Sequence, residues 1–205
     1  MSSLPLQFEP MLNDEDRARA EYYALLARLY FDGPDAGLLA AIAEAAPVDA
    51  EAGAVLASSW AALQSACRQA DPETVGFEYS RVFISTGKAL VTPYALHYAS
   101  DSMKERRLVQ LREELAALGL ARLGGAGIYE DHIAALCEIM RHLVMRGSTV
   151  AAAQQQKQLF INYIEPSFRQ FSIALDACDE TLFYRHVGRF SKAFFEIETE
   201  ALSMV

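Results

Sequence analysis

Asp131, His132, Glu138 and His142 are the residues here whose types and closeness in sequence could bind a metal or move a proton. Asp131, Glu138 and His142 fall at i, i+7 and i+11, which puts them with Ala135 on one face of a helix, opposite its apolar stripe. A helical metalloenzyme using Asp131, His132, Glu138 and His142 is therefore one reading. The spacing argues against it. Di-metal bundles use Glu-x-x-His on facing helices and zinc hydrolases use His-Glu-x-x-His, and neither pattern occurs in this stretch. A solvated polar face, with Glu138 and His142 paired at i,i+4, accounts for the same residues. His132 lies on the same wheel at the border of the stripe. A half-buried imidazole there keeps one nitrogen free and changes charge near neutrality; the alternative is a capping or hinge residue.

A second constellation stands upstream. Glu78 and Tyr79 sit in mid-helix with Phe83 four residues on, and Pro93, Tyr94, His97 and Tyr98 follow a short loop. Buried tyrosines need hydroxyl partners, so structural hydrogen bonding explains them; the functional alternative is a groove wall, aromatic for contact and acidic for orientation. Ser85-Thr86-Gly87-Lys88 resembles a phosphate loop only superficially. The upstream glycine is missing, Ala89 replaces the hydroxyl residue, and a helix precedes it instead of a strand. No serine or cysteine stands in a nucleophile elbow.

The elements that must position these residues read as helices throughout. Asn13 with Asp14, Glu15 and Asp16 opens the first, whose apolar positions are Ala18, Tyr22, Leu25, Leu26 and Leu29, and Gly33-Pro34 ends it. A short helix spans about 38–45. The next spans about 49–69, with Ala52, Val55, Leu56, Ser59, Trp60 and Leu63 inward. Asp71-Pro72 restarts the chain as N-cap and first helical residue, with Val75, Tyr79, Val82 and Phe83 on the buried stripe. A helix over about 102–118 closes at Gly119. Three glycines (Gly124, Gly125, Gly127) then precede a helix from about Glu130, whose Ile133, Leu136, Cys137, Met140, Leu143 and Val144 make an unbroken amphipathic pattern. A Gln-rich helix over 149–164, a segment restarted by Pro166, and a last helix through Phe183, Val187, Phe190, Phe194 and Ile197 complete the chain. No alternating strand and no internal repeat is visible, so the expected fold is all-α. The expected division is an N-terminal half over about 13–122, a Gly-rich hinge over about 123–132 and a C-terminal half over about 133–205.

Composition narrows the function. The 205 residues are 52% hydrophobic, enough for a substantial core, and the formal net charge of −9 opposes nucleic-acid binding while favouring a basic partner. Cys67, Cys137 and Cys178 form no CxxC pair and read as free thiols in a reducing compartment. No basic start with an apolar run marks a signal peptide, and no stretch is long and apolar enough to enter a membrane stably.

Taken in order, these motifs resemble the TorD/DmsD/NarJ-type family of redox-enzyme maturation chaperones. The first family motif is Glu78-Tyr79-Ser-Arg-Val-Phe83, then Gly87, Pro93-Tyr94 and Tyr98; the second is Glu130-Asp131-His132-Ile133-Ala134, continuing to Leu136, Glu138 and Met140. A weaker echo runs from Phe160 to Phe171. Leu96 stands where many members carry serine, and Tyr129-Glu130 stands where proline precedes the Asp-His pair. The resemblance implies a single all-helical domain, a cytoplasmic location, no catalysis and no cofactor. It also implies binding of the twin-arginine signal peptide and the apo form of a molybdoenzyme subunit before cofactor insertion and export. The expected state is a monomer, with a domain-swapped dimer as the alternative; a guanine nucleotide has been linked to some members. Glu78, Tyr79, Phe83, Pro93, Tyr94, His97, Asp131 and His132 are the expected binding residues, with Asp131 and Glu78 supplying the acids. The rival reading is a helical adaptor that recognises a folded protein.

Overall fold

The computed structural model of the chain describes residues 12–84, 89–98, 103–121, 127–147 and 149–205. Helices α1 (Asp14–Phe31), α2 (Ala36–Glu44), α3 (Ala54–Gln69) and α4 (Pro72–Tyr79) precede the first loop, and α5 (Lys104–Ala117) follows it. Beyond the glycine connector come α6 (Ile133–Met145), α7 (Val150–Leu159), α8 (Glu165–Ala177) and α9 (Phe183–Ser203). Among the described residues there is no strand, only one isolated antiparallel bridge. No described helix is long and apolar enough to cross a membrane.

Local chemistry sets the boundaries. Asn13, Asp35, Asp71 and Thr149 each accept a backbone N–H of the first turn through a side-chain oxygen, satisfying donors the helix cannot pair itself. Gly119 closes α5 with φ +75°: its N–H bonds Ala116 O and the Leu120 N–H bonds Leu115 O, a six-to-one closure that a Cβ would strain. Two passages depart from regular α-helix. Helix α4 runs on into a π turn over Ser80–Ile84, and α7 passes through a π turn over Phe160–Ile164 directly into α8. Pro166 therefore lies in the first turn after a π bulge, where its missing N–H breaks no α bond.

Helix α1 packs chiefly on α6, α3 on α9 and α2, and α8 on α9. One core runs from Ala20 to Leu202, so segments before and after the glycine connector share it. The α6 stripe is buried as the pattern predicts. In α3 the stripe is rotated: Val55 is 67% exposed, while Gln64 is buried and gives its amide to Ile42 O and Ala45 O at the end of α2. A buried amide serves there because the last carbonyls of α2 need donors.

The most polar part of the core joins α1, α7 and α9. Arg19 donates twice to Glu198, from Nε at 2.7 Å and Nη2 at 2.9 Å, and also reaches Asp16 at 2.9 Å and Gln156 at 3.0 Å. The Tyr23 hydroxyl donates to the same Glu198 at 2.7 Å. Burial works against the Arg19 charge, yet Glu198 holds its pKa above the ordinary guanidinium value.

Candidate functional site

The two sequence motifs meet at the isolated bridge. Ile133 N–H donates to Pro93 O and Ala95 N–H to Asp131 O, both at 2.8 Å, which sets Tyr94 opposite His132. Their rings stand edge-on at 5.0 Å, and Tyr129 flanks Tyr94 at 6.2 Å. The preceding turn passes Gly127 at φ +71°, a conformation that L side chains rarely adopt. Gly124, Gly125 and residues 85–88 lie outside the described residues.

His132 is the N-cap of α6: its Nδ1 accepts the Ala134 N–H at 3.1 Å. It is 3% exposed, and burial lowers its pKa to about 4. Of the two readings of His132, the cap holds and the half-buried imidazole titrating near neutrality does not, because the helix starts one residue after it and buries the ring. The linkage has a definite sign. The unfolded chain binds this proton below about 6.5 and the folded chain only below about 4, so stability falls as pH drops through that window. The loss reaches roughly 3 kcal/mol at the acid end. Urea midpoints from pH 7 to 4 check this: His132→Asn, which caps without titrating, is expected to flatten the slope, and an unchanged slope would remove His132 as its source.

Asp131 is also displaced from its expected place on a wet helical face. It precedes α6 and is 7% exposed, with its carboxylate beside the Leu96 N–H. Burial pushes its pKa up, against the pull of that N–H. Glu138 bonds Arg141 at 2.6 Å rather than pairing with His142, which is exposed. Among the described residues, no group of three or more His, Cys, Asp or Glu could hold a metal ion.

The other sequence-predicted residues divide. Pro93 is buried, Tyr94 half-buried, and His97 exposed with its ring on Tyr98. Glu78, Tyr79 and Phe83 belong to another region, the foot of α9 and the core. Both Glu78 oxygens are occupied: Oε1 accepts the N–H of Leu182 at 3.0 Å and Tyr184 at 2.8 Å, and Oε2 that of Phe183 at 3.0 Å. The Tyr79 hydroxyl donates to the carbonyl of Phe31 at the end of α1, and Phe83 packs edge-on against Tyr30 and Tyr184.

Beside the bridge lies a cleft of about 650 Å³ that no motif announces. Helix α1 contributes Ala24, Ala27, Arg28 and Phe31 at helical spacing, and α6 contributes Ala134, Ala135, Glu138, Ile139 and His142. Leu115, Leu120, Ala121 and residues 128–130 complete its wall. The small alanines leave a channel between two helices, while Phe31, Leu120, Ile128 and Ile139 offer apolar surface. Glu130 is held by Arg112 at 3.1 Å. The available signal was the alanines that α1 and α6 turn toward the same space, but nothing local identifies them as a facing pair.

Residues 49–172 match the family model described as the nitrate reductase delta subunit. The fold matches the crystal structure of a redox enzyme maturation protein from Archaeoglobus fulgidus with a TM-score of 0.51 and 18% identity, covering 97% of this chain and 99% of that one. No curated protein gives a significant match. The family match spans more than half of the 205 residues, and the chain belongs to the nitrate reductase delta subunit family, the NarJ/TorD-type chaperones.

Proposed function

We propose that this chain is a non-enzymatic cytoplasmic chaperone that binds the twin-arginine signal peptide of a molybdoenzyme subunit and holds the apoenzyme until its cofactor is inserted. The observation that carries the reading is the cleft between α1 and α6. Its walls are apolar, its rim bears Glu130 and Glu138, and it adjoins the bridge where the two family motifs meet. A signal peptide has a cationic start and an apolar segment. The apolar segment would bury against Phe31, Leu120 and Ile139, while the net charge of −9 draws the cationic start toward the acids. In this reading Pro93, Tyr94, Asp131 and His132 act from behind, fixing the segment over 128–130 that forms one wall.

Titration of the full chain with a twin-arginine signal peptide and its twin-lysine variant tests the reading. Arginine-dependent binding is expected, and Ala135→Trp, which fills the channel, should weaken it about tenfold or more. Failure to bind any signal peptide would overturn it and favour the adaptor for a folded partner. Equal binding by Ala135→Trp would move the site out of the cleft.

A further inference from the structure

We propose that Glu138 is the specificity-determining acid of the cleft, the carboxylate that tells a client arginine from a lysine. The inference rests on the signal-peptide reading above and names the residue that sets the preference of that same site.

The acids near the cleft and the bridge are not equivalent. Glu78 spends both oxygens on the N-terminus of α9, and Asp131 is buried beside the Leu96 N–H. Glu130 lines the cleft, but it is largely withdrawn from water and already held by Arg112. Of the two described acids on the cleft wall, Glu138 is the one open to solvent, with 56% of its side chain exposed. It also stands against apolar surface. Ala134 and Ala135 lie one turn before it and Ile139 beside it, all on the same wall. A helical turn rises only about 5 Å, so a client side chain buried over the alanines leaves a neighbouring arginine within reach of the carboxylate.

Arg141 braces this carboxylate from three residues on, its Nη1 donating to Oε1 at 2.6 Å. A carboxylate offers about four lone-pair positions, and this contact takes one of them. Both partners are about half in water, so the pair is of the exposed kind that contributes little and is shared cheaply. An arriving guanidinium can lie along the edge away from Arg141 with one N–H on each oxygen. A lysine ammonium is a compact, strongly hydrated point charge and gains less from a planar acceptor with two oxygens. Glu138 keeps its water until the client arrives, so the contact starts from a smaller desolvation cost than one made at a buried acid.

The test titrates the full chain, Glu138→Gln and Glu138→Asp by calorimetry with a twin-arginine signal peptide and its twin-lysine counterpart, each at low and at physiological salt. Wild type is expected to prefer arginine about two- to fivefold, the worth of an exposed ion pair in good geometry. Glu138→Gln keeps the size and loses the charge, so it should bind the two peptides equally and with a weaker salt dependence. Glu138→Asp holds the charge one methylene further back and should keep the salt dependence while losing part of the preference. A residue that only shapes the wall would change both affinities in step. An arginine preference that survives in Glu138→Gln therefore overturns the proposal, as does equal binding of the two peptides by wild type. If wild type binds neither peptide, the signal-peptide reading falls and takes this with it. If wild type prefers arginine and Glu138→Gln does so equally, Glu138 alone falls and the cleft stands. Thermal midpoints of both variants close to wild type are expected, because the side chain is exposed and its ion pair lies within one helix.

Discussion

Replacing Glu198 with alanine is expected to destabilise the fold by about 3–5 kcal/mol, the cost of breaking one partner out of a buried ion pair. Glu198 is 1% exposed and accepts three hydrogen bonds at once, from Nε and Nη2 of Arg19 and from the Tyr23 hydroxyl, while Arg19 also donates to Gln156. Its loss strands a guanidinium that is largely withdrawn from water, and Asp16 at its edge compensates only in part. Glu198→Gln keeps an acceptor and should cost about half as much. Replacing Arg19 and Glu198 together by methionine and leucine should recover much of the loss, because the penalty lies in the orphaned charge. Urea unfolding at neutral pH measures all three; a loss below about 1 kcal/mol for the alanine variant would show the site to be wetter than its geometry implies.

The second large effect is expected at Glu78. One carboxylate there satisfies three consecutive N–H groups at the start of α9, where the helix dipole also favours negative charge. Glu78→Ala leaves those donors to water and should cost about 2 kcal/mol, by analogy with charged hydrogen bonds and N-caps. Because α9 is the longest described helix and packs on α3 and α8, the damage should appear first as faster amide exchange at Leu182, Phe183 and Tyr184. Glu78→Gln retains the oxygen that can serve Leu182 and Tyr184 and should lose about half. Equal stability of the alanine and wild-type chains would mean that the cap is made by solvent.

Periodicity read the helices well where a stripe was strong. Every predicted apolar position of α6 is buried, and of the stripe predicted for α9 only Ile197 is left partly exposed. It read poorly where a polar residue works inside. Gln64 and Glu198 look like surface positions, and only a carbonyl on α2 or a guanidinium on α1 gives them a reason to be buried. The expected binding residues included Pro93 and Tyr94 from one motif and Asp131 and His132 from the other, and the backbones of these two segments pair at the bridge. A helical wheel extended past the true helix start put Asp131 on a wet face and left the cap and the titrating group as open alternatives at His132, of which the structure has the cap. Glu78 looked available for a ligand because its three N–H partners lie more than a hundred positions away. The cleft stayed invisible for the same reason. Its walls come from α1, the end of α5, residues 128–130 and α6, and no local pattern says that these distant pieces leave a gap.

The ion pair of Arg19 and Glu198 closes a loop of 179 positions. During synthesis a domain emerges from its N-terminus at about 5–20 residues per second, so α1 waits roughly ten seconds or more for the carboxylate that neutralises it. Until then the face that α1 turns toward α9 stays open. This part of the core therefore closes only after α9 has emerged, and a protein proposed to shield an unfinished client passes through an unfinished stage of its own.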